Sequence, residues 1–183
     1  MLLFINACVR ENSRTKQLAD ALLSGSKDEI REVKVAEIDF PVADESFLKK
    51  RDYLIANAKW DDPLFDLARQ FAKADSIVIA APYWDLSFPA CLKQYFEQIN
   101  VLGITFEYSA EGFPIPKCKA DKLYYVTTAG GAYVPEEFGF GYVKALAQGF
   151  YGINDVRLIK ATGLDIDGAD IDEIMRKAIE SVK

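Results

Sequence analysis

The run Ser76-Ile77-Val78-Ile79-Ala80-Ala81 is the most apolar stretch in the chain and is too short to make a helix. A segment so uniformly apolar needs cover on both faces, which makes it a central strand of a parallel sheet. Parallel neighbours are joined only by long crossovers, so the flanking sequence should supply helices. Short apolar runs do alternate with longer amphipathic stretches throughout. Residues 2–7 predict a first strand, followed by polar 10–15 and then by Leu18, Ala19, Leu22 and Leu23 at helical spacing. Residues 32–38, where Val33 and Val35 alternate with charged neighbours, predict a second strand at the sheet edge. Helical stretches follow at 45–59 and 63–74, with Asp61 and Asp62 as cap candidates ahead of Pro63. After the central strand come a helix over 88–100, with Pro89 in its first turn, and a hairpin pairing 105–108 with 113–115. Strands at 123–128 and 156–161 alternate with helices at 140–151, despite Gly141 and Gly149, and at 169–182.

Five strands with crossover helices predict a doubly wound α/β sheet with helices on both faces, in the flavodoxin-like order 2-1-3-4-5. Residues 1–183 are expected to form one domain. Ligands of such sheets sit at the carboxyl ends of the strands where the winding reverses, between the first and third strands. The loops that matter are therefore 6–15, 82–88 and 127–133.

Composition narrows the chemistry. There are 22 basic and 28 acidic residues, a net charge of −6, whereas nucleic-acid binders owe most of their affinity to the opposite balance. Cys8, Cys91 and Cys118 are odd in number, far apart and without CxxC spacing, so no disulfide framework or metal set is read, and a reducing cytoplasm fits. Residues 1–9 lack a basic leader and read as a buried strand, and no apolar run reaches the ~18–20 residues of a membrane span. No membrane insertion is expected. Histidine is absent, which removes the commonest general base and every Ser-His or Cys-His pairing. Chemistry must come from a cofactor or from other side chains.

The first loop reads Asn6-Ala7-Cys8-Val9-Arg10-Glu11-Asn12-Ser13-Arg14-Thr15. Two hydroxyls, two guanidiniums and a helix start are what a phosphate monoester needs, although a Ser13 cap beside solvated arginines would use the same residues. Neither GxGxxG nor GxxxxGK[ST] occurs in it. The second loop, Pro82-Tyr83-Trp84-Asp85-Leu86-Ser87-Phe88, puts three aromatics after the central strand, where they either hold a flat heterocycle or pack on the core. The third, Thr127-Thr128-Ala129-Gly130-Gly131-Ala132-Tyr133, ends a strand in paired glycines that serve a simple turn or a close backbone approach to a ligand.

These segments resemble those of the flavodoxin-like NAD(P)H:quinone oxidoreductases and FMN-dependent azoreductases. Pro82 and Pro89-Ala90-Cys91-Leu92-Lys93-Gln94-Tyr95-Phe96-Glu97 are similar to that family's P, loop, PAxLKxxFE pattern. Thr127 to Gly131 resembles its T-x-x-G-G segment, Thr105-Phe106-Glu107-Tyr108 its TFxY strand, and Arg10 to Thr15 its phosphate loop. The resemblance implies that Ser13, Arg14 and Thr15, with Arg10, hold the phosphate of FMN. It implies that Tyr83, Trp84, Asp85 and Leu86, after Pro82, line the isoalloxazine edge, and that Thr128, Ala129, Gly130 and Gly131 serve the pyrimidine end. Tyr133 falls where relatives carry a catalytic His or Tyr. NADH or NADPH would be the co-substrate, a quinone or azo compound the small-molecule acceptor in ping-pong hydride transfer, and a homodimer the assembly, with 47–60 of one subunit walling the other's site.

Two residues depart from the pattern. Asp85 stands where relatives have Asn or Trp, and Leu86 where they often have Phe. An acid beside a ring that becomes anionic should lower its reduction potential. The rival expectations are an electron-carrying flavodoxin without a substrate of its own, opposed by the lack of a TxTGxT first loop, and a regulatory flavoprotein.

Overall fold

The computed structural model describes residues 1–182. Its elements are β1 (Leu2–Asn6), α1 (Arg14–Leu23), β2 (Ile30–Lys34), α2 (Glu45–Ala56), α3 (Asp66–Lys73), β3 (Ser76–Ala80), α4 (Ala90–Ile99), β4 (Phe106–Tyr108), β5 (Pro114–Pro116), β6 (Lys122–Thr128), α5 (Phe140–Leu146), β7 (Asp155–Ala161) and α6 (Ile171–Glu180). The main sheet is parallel in the order β2-β1-β3-β6-β7, and β4 and β5 form a separate antiparallel hairpin. Counted within the main sheet, this is the predicted 2-1-3-4-5. Register aligns Asn6 with Ala80 and Ala80 with Val126, so β1 and β3 end side by side, β6 runs on to Thr128, and all three release their loops at the same end of the sheet.

Alternation along β3 explains why its sequence is apolar throughout. Ile77 and Ile79 join Leu3, Ile5, Phe71, Leu92, Tyr95 and Phe96 on one face, while Val78 and Ala80 join Phe4, Leu18, Ala19, Val126 and Met175 on the other. Both layers are buried, and each residue from Ile77 to Ala80 belongs to one of them.

Several boundaries differ from the predicted ones for local reasons. β2 stops at Lys34 because the one strand beside it, β1, ends at Asn6, the residue paired with Lys34, and 35–37 turn into a 3-10 helix. The stretch 63–74 begins as a 3-10 turn, Pro63–Phe65, capped by Asp62, whose Oδ1 accepts from the Leu64 amide at 2.9 Å. The stretch 140–151 changes at Ala147 into a π-helical turn that ends at Gly152. Gly152 has φ of 75°, and a Cβ there would lie 2.7 Å from the Pro116 side chain, so glycine is required twice over.

α2 ends three residues early in a Schellman arrangement. The Ala58 amide donates to Ile55 O and the Lys59 amide to Leu54 O, with Ala58 left-handed at φ 50°. Alanine bears about 1–2 kcal/mol of strain in that conformation and glycine does not. Ala58→Gly is therefore expected to raise the melting temperature by ~2–4 °C, measured by calorimetry; a lower value would contradict the cap assignment.

Among the described residues, no helix is long and apolar enough to cross a membrane.

Candidate active site

Asn6, the last residue of β1, organises the first loop. Its Nδ2 donates to Glu32 Oε1 at 2.8 Å and its Oδ1 accepts from the Cys8 amide at 2.9 Å, so the chain turns sharply away from the sheet. Ser13 caps α1, its Oγ accepting from the Lys16 amide at 3.3 Å. The capping and anion-binding readings are compatible, because a cap uses only one of the helix's free donors. Arg14 and Thr15 are the first helical residues; their N–H groups have no intrahelical acceptor and find none elsewhere among the described residues. No acid sits in this first turn to neutralise it. The Thr15 hydroxyl is shared with that of Thr128 at 2.6 Å, both residues being buried, which ties the start of α1 to the end of β6. Thr15 thus offers a ligand its amide, its hydroxyl being already paired.

The second loop hangs from β6, with the Tyr83 amide donating to Thr128 O at 3.0 Å. Trp84 and Ser87 exchange both backbone hydrogen bonds, at 3.2 and 2.7 Å, around Asp85 and Leu86, whose φ values are 49° and 68°. This is a type I′ turn, a conformation usually given to Asn-Gly. A leucine held there is strained, and such strain gathers where a loop must present its backbone to a ligand. The Asp85 and Leu86 amides have no acceptor among the described residues. Ser87 Oγ donates to Phe138 O at 2.8 Å and fastens this loop to the irregular segment 132–139.

In the third loop the Ala129 amide remains in the sheet, donating to Ala161 O, while Gly130 O and Gly131 O accept from the amides of Asp165 and Gly163. The two glycine amides have no acceptor among the described residues. A Cβ at Gly130 would stand 2.2 Å from Asp165 Oδ2, whereas one at Gly131 would meet nothing. Close approach therefore explains the first glycine and leaves the second without a steric reason.

Together these loops enclose a cleft of about 410 Å³, within the ~300–1,000 Å³ usual for small-molecule sites. Arg10, Ser13, Arg14, Thr15, Pro82, Tyr83, Trp84, Thr128, Ala129 and Gly130 line it, ten of the fourteen residues expected from sequence. Asp85, Leu86 and Gly131 adjoin the lining without belonging to it, and Tyr133, 81% exposed, lies outside it near Tyr83. Val9, Asn12 and Asp165 complete the wall and were not expected. Asp165 comes from the loop after β7; its Oδ1 accepts from Arg14 Nη1 at 2.8 Å, and Leu164 O accepts from the same nitrogen at 3.4 Å. The strand-reversal rule directs attention to β1 and β3, so a β7 loop carries no sequence mark beyond its acids. Burial raises the thiols of Cys8 and Cys91, and that of Cys118 to about 12, so none supplies a thiolate at neutral pH.

FMN suits this donor set. Partnerless amides at a helix start, flanked by two guanidiniums, match a phosphate, and a second group of free amides across the cleft at Gly130 and Gly131 matches electron-rich ring edges.

A 2-1-3-4-5 parallel sheet with an anion-ready cleft at the ends of β1, β3 and β6 defines a flavodoxin-like protein. The chain belongs to the flavodoxin-like fold family, whose model matches residues 1–183. It is 35% identical over 185 residues to a protein from Clostridium beijerinckii named FMN-dependent NADH:quinone oxidoreductase, covering 97% of this chain and 92% of the other. It is 36% identical over 188 residues to a protein of the same name from Lachnoclostridium phytofermentans, covering 98% and 94%. An FMN-dependent NADH-azoreductase from Bacillus anthracis, solved in complex with FMN, shares the fold with a TM-score of 0.82 at 23% identity, covering 99% and 94%.

Proposed function

We propose that residues 1–183 act as one FMN-binding domain, an NAD(P)H-dependent oxidoreductase that reduces quinones, azo compounds or similar small molecules. The observation that carries this is the pair of free-donor groups at one cleft, the Arg14 and Thr15 amides on one wall and the Gly130 amide on the other, with that of Gly131 next to it in the chain. FMN, when bound, supplies hydride transfer between a nicotinamide and the acceptor. Ser13, Arg14, Thr15 and Arg10 bind its phosphate through amides and charge. Pro82, Tyr83, Trp84, Asp85 and Leu86 orient the N5 and O4 edge, with the free amides of the type I′ turn as donors. Thr128, Ala129, Gly130 and Gly131 face the N1 and O2 end, where preorganised amides stabilise developing negative charge. NADH is the first co-substrate to test, since the named relatives carry it in their names.

Anaerobic stopped-flow on FMN-loaded protein tests the reading: NADH should bleach the flavin band and a benzoquinone or azo dye restore it. Binding of FMN without turnover by NADH or NADPH would favour the electron-carrier alternative. Tyr133 serves as proton donor in the oxidative half-reaction through its phenolic O–H. Tyr133→Phe is then expected to slow acceptor reduction by ~100-fold or more with flavin reduction unchanged. Equal oxidative rates for variant and wild type would remove that role.

The working unit is a homodimer built on α2 and the hairpin, with the site partly walled by residues 47–60 of the other subunit. Leu48, Tyr53, Tyr108 and Phe113 are all exposed there, and an isologous contact would cover them. Sedimentation should give one species of twice 20.5 kDa at micromolar concentration; monomer alone would contradict it. The protein works in the cytoplasm, where its three unpaired thiols suit a reducing compartment.

A further inference from the structure

Thr127 and Thr128 are consecutive, so their side chains leave β6 on opposite faces. Thr128 turns toward the cleft and bonds Thr15, whereas Thr127 turns into a small cavity behind it. That cavity, about 10 Å³, is lined by Tyr83, Tyr125 and Thr127, with Gly139, Glu136 and Lys160 among the residues closing it. The hydroxyls of all three of the first group are buried and have no partner among the described residues. Tyr125 is 2% and Thr127 3% exposed. The groups are neighbours: burial pushes the Tyr125 phenol up, the Thr127 hydroxyl is close enough to oppose the shift although the two do not meet in hydrogen-bonding geometry, and the Tyr83 phenol adds to it. A Glu136–Lys160 ion pair at 2.6 Å closes the outside.

Three orphan hydroxyls in one native cavity need an explanation, since each buried group left unpaired carries a desolvation penalty. A space of that size with two to four polar partners is what one structural water requires. We propose that Tyr83, Tyr125 and Thr127 bind a single ordered water that fastens the 82–86 loop to the end of β6. Tyr83 lines both the cleft and the cavity, so the water acts as a strut behind the ligand site. Its bearing on flavin rests on the proposed function; the water site itself does not.

Thr127→Val and Tyr125→Phe, studied without added cofactor, give a sign test. Removing a hydroxyl that serves a water lowers the melting temperature, by ~2–4 °C for a chain of this size, while removing one that is merely orphaned leaves it unchanged or raises it. Because the two share one water, the double variant should lose less than the sum of the singles. Backbone amides at 83–88 should exchange with solvent roughly tenfold faster in Thr127→Val, with α1 amides unaffected, a pattern that general destabilisation would not give. Should one variant fail to fold, the other carries the test. Unchanged or raised melting temperatures, or additive losses, overturn the proposal whether or not the protein binds FMN.

Discussion

Arg14→Glu is expected to weaken FMN binding by about two to three orders of magnitude while leaving the fold intact. Arg14 is half exposed on the first turn of α1 and contacts the rest of the protein through Asp165 and Leu164 O. A charge-assisted hydrogen bond at a partly desolvated anion contributes about 1.5–3 kcal/mol. Reversal adds repulsion between the phosphate and a carboxylate that would stand beside Asp165, and ~1.4 kcal/mol is a factor of ten. Arg14→Gln, which removes charge without reversing it, should lose about tenfold. Fluorescence titration of apoprotein with FMN measures both, and riboflavin, which lacks the phosphate, should bind wild type and Arg14→Glu alike. Unchanged FMN affinity in Arg14→Glu would take the phosphate away from this loop.

Phe71→Ala should cost about 3–5 kcal/mol of stability, and with it ~10 °C of melting temperature. Phe71 is fully buried between α3 and the sheet and meets Tyr151 edge-on, the ring centroids 4.7 Å apart. Tyr151 is held from behind by its own hydroxyl, which donates to Asn100 Oδ1 at 2.7 Å, so it cannot swing in to fill the space. The cavity therefore persists, and persistent cavities give the upper part of the range. A loss below ~1 kcal/mol in chemical denaturation would mean that the site collapses instead.

The strand order was legible because it rests on burial. Ser76 to Ala80 is apolar on both faces, Val33 and Val35 alternate, and only a central and an edge strand have those needs. The start of α1 was legible because Ser13, Arg14 and Thr15 carry side chains or positions that mark a helix start. Asp165 was not, since nothing local in the β7–α6 loop tells an acid that pairs Arg14 from a solvated one. The type I′ turn at Asp85 and Leu86 was hidden for the opposite reason: local preference argues against leucine there, and tertiary contacts from Thr128 and Phe138 override it. Residues 132–139 follow no period at all, and their path depends on Ser87 and Lys160, distant partners that a linear reading cannot supply.

The burial that raises the thiols of Cys8, Cys91 and Cys118 leaves all three uncharged near neutrality. Histidine is the side chain whose ordinary titration falls between about pH 5 and 8, and thiols come next, near ~8.5; this chain lacks the first and shifts the second upward. A slope of rate with pH in that window owes nothing to an imidazole or a thiol of this chain, and the molecules that visit the cleft are the first place to look for its source.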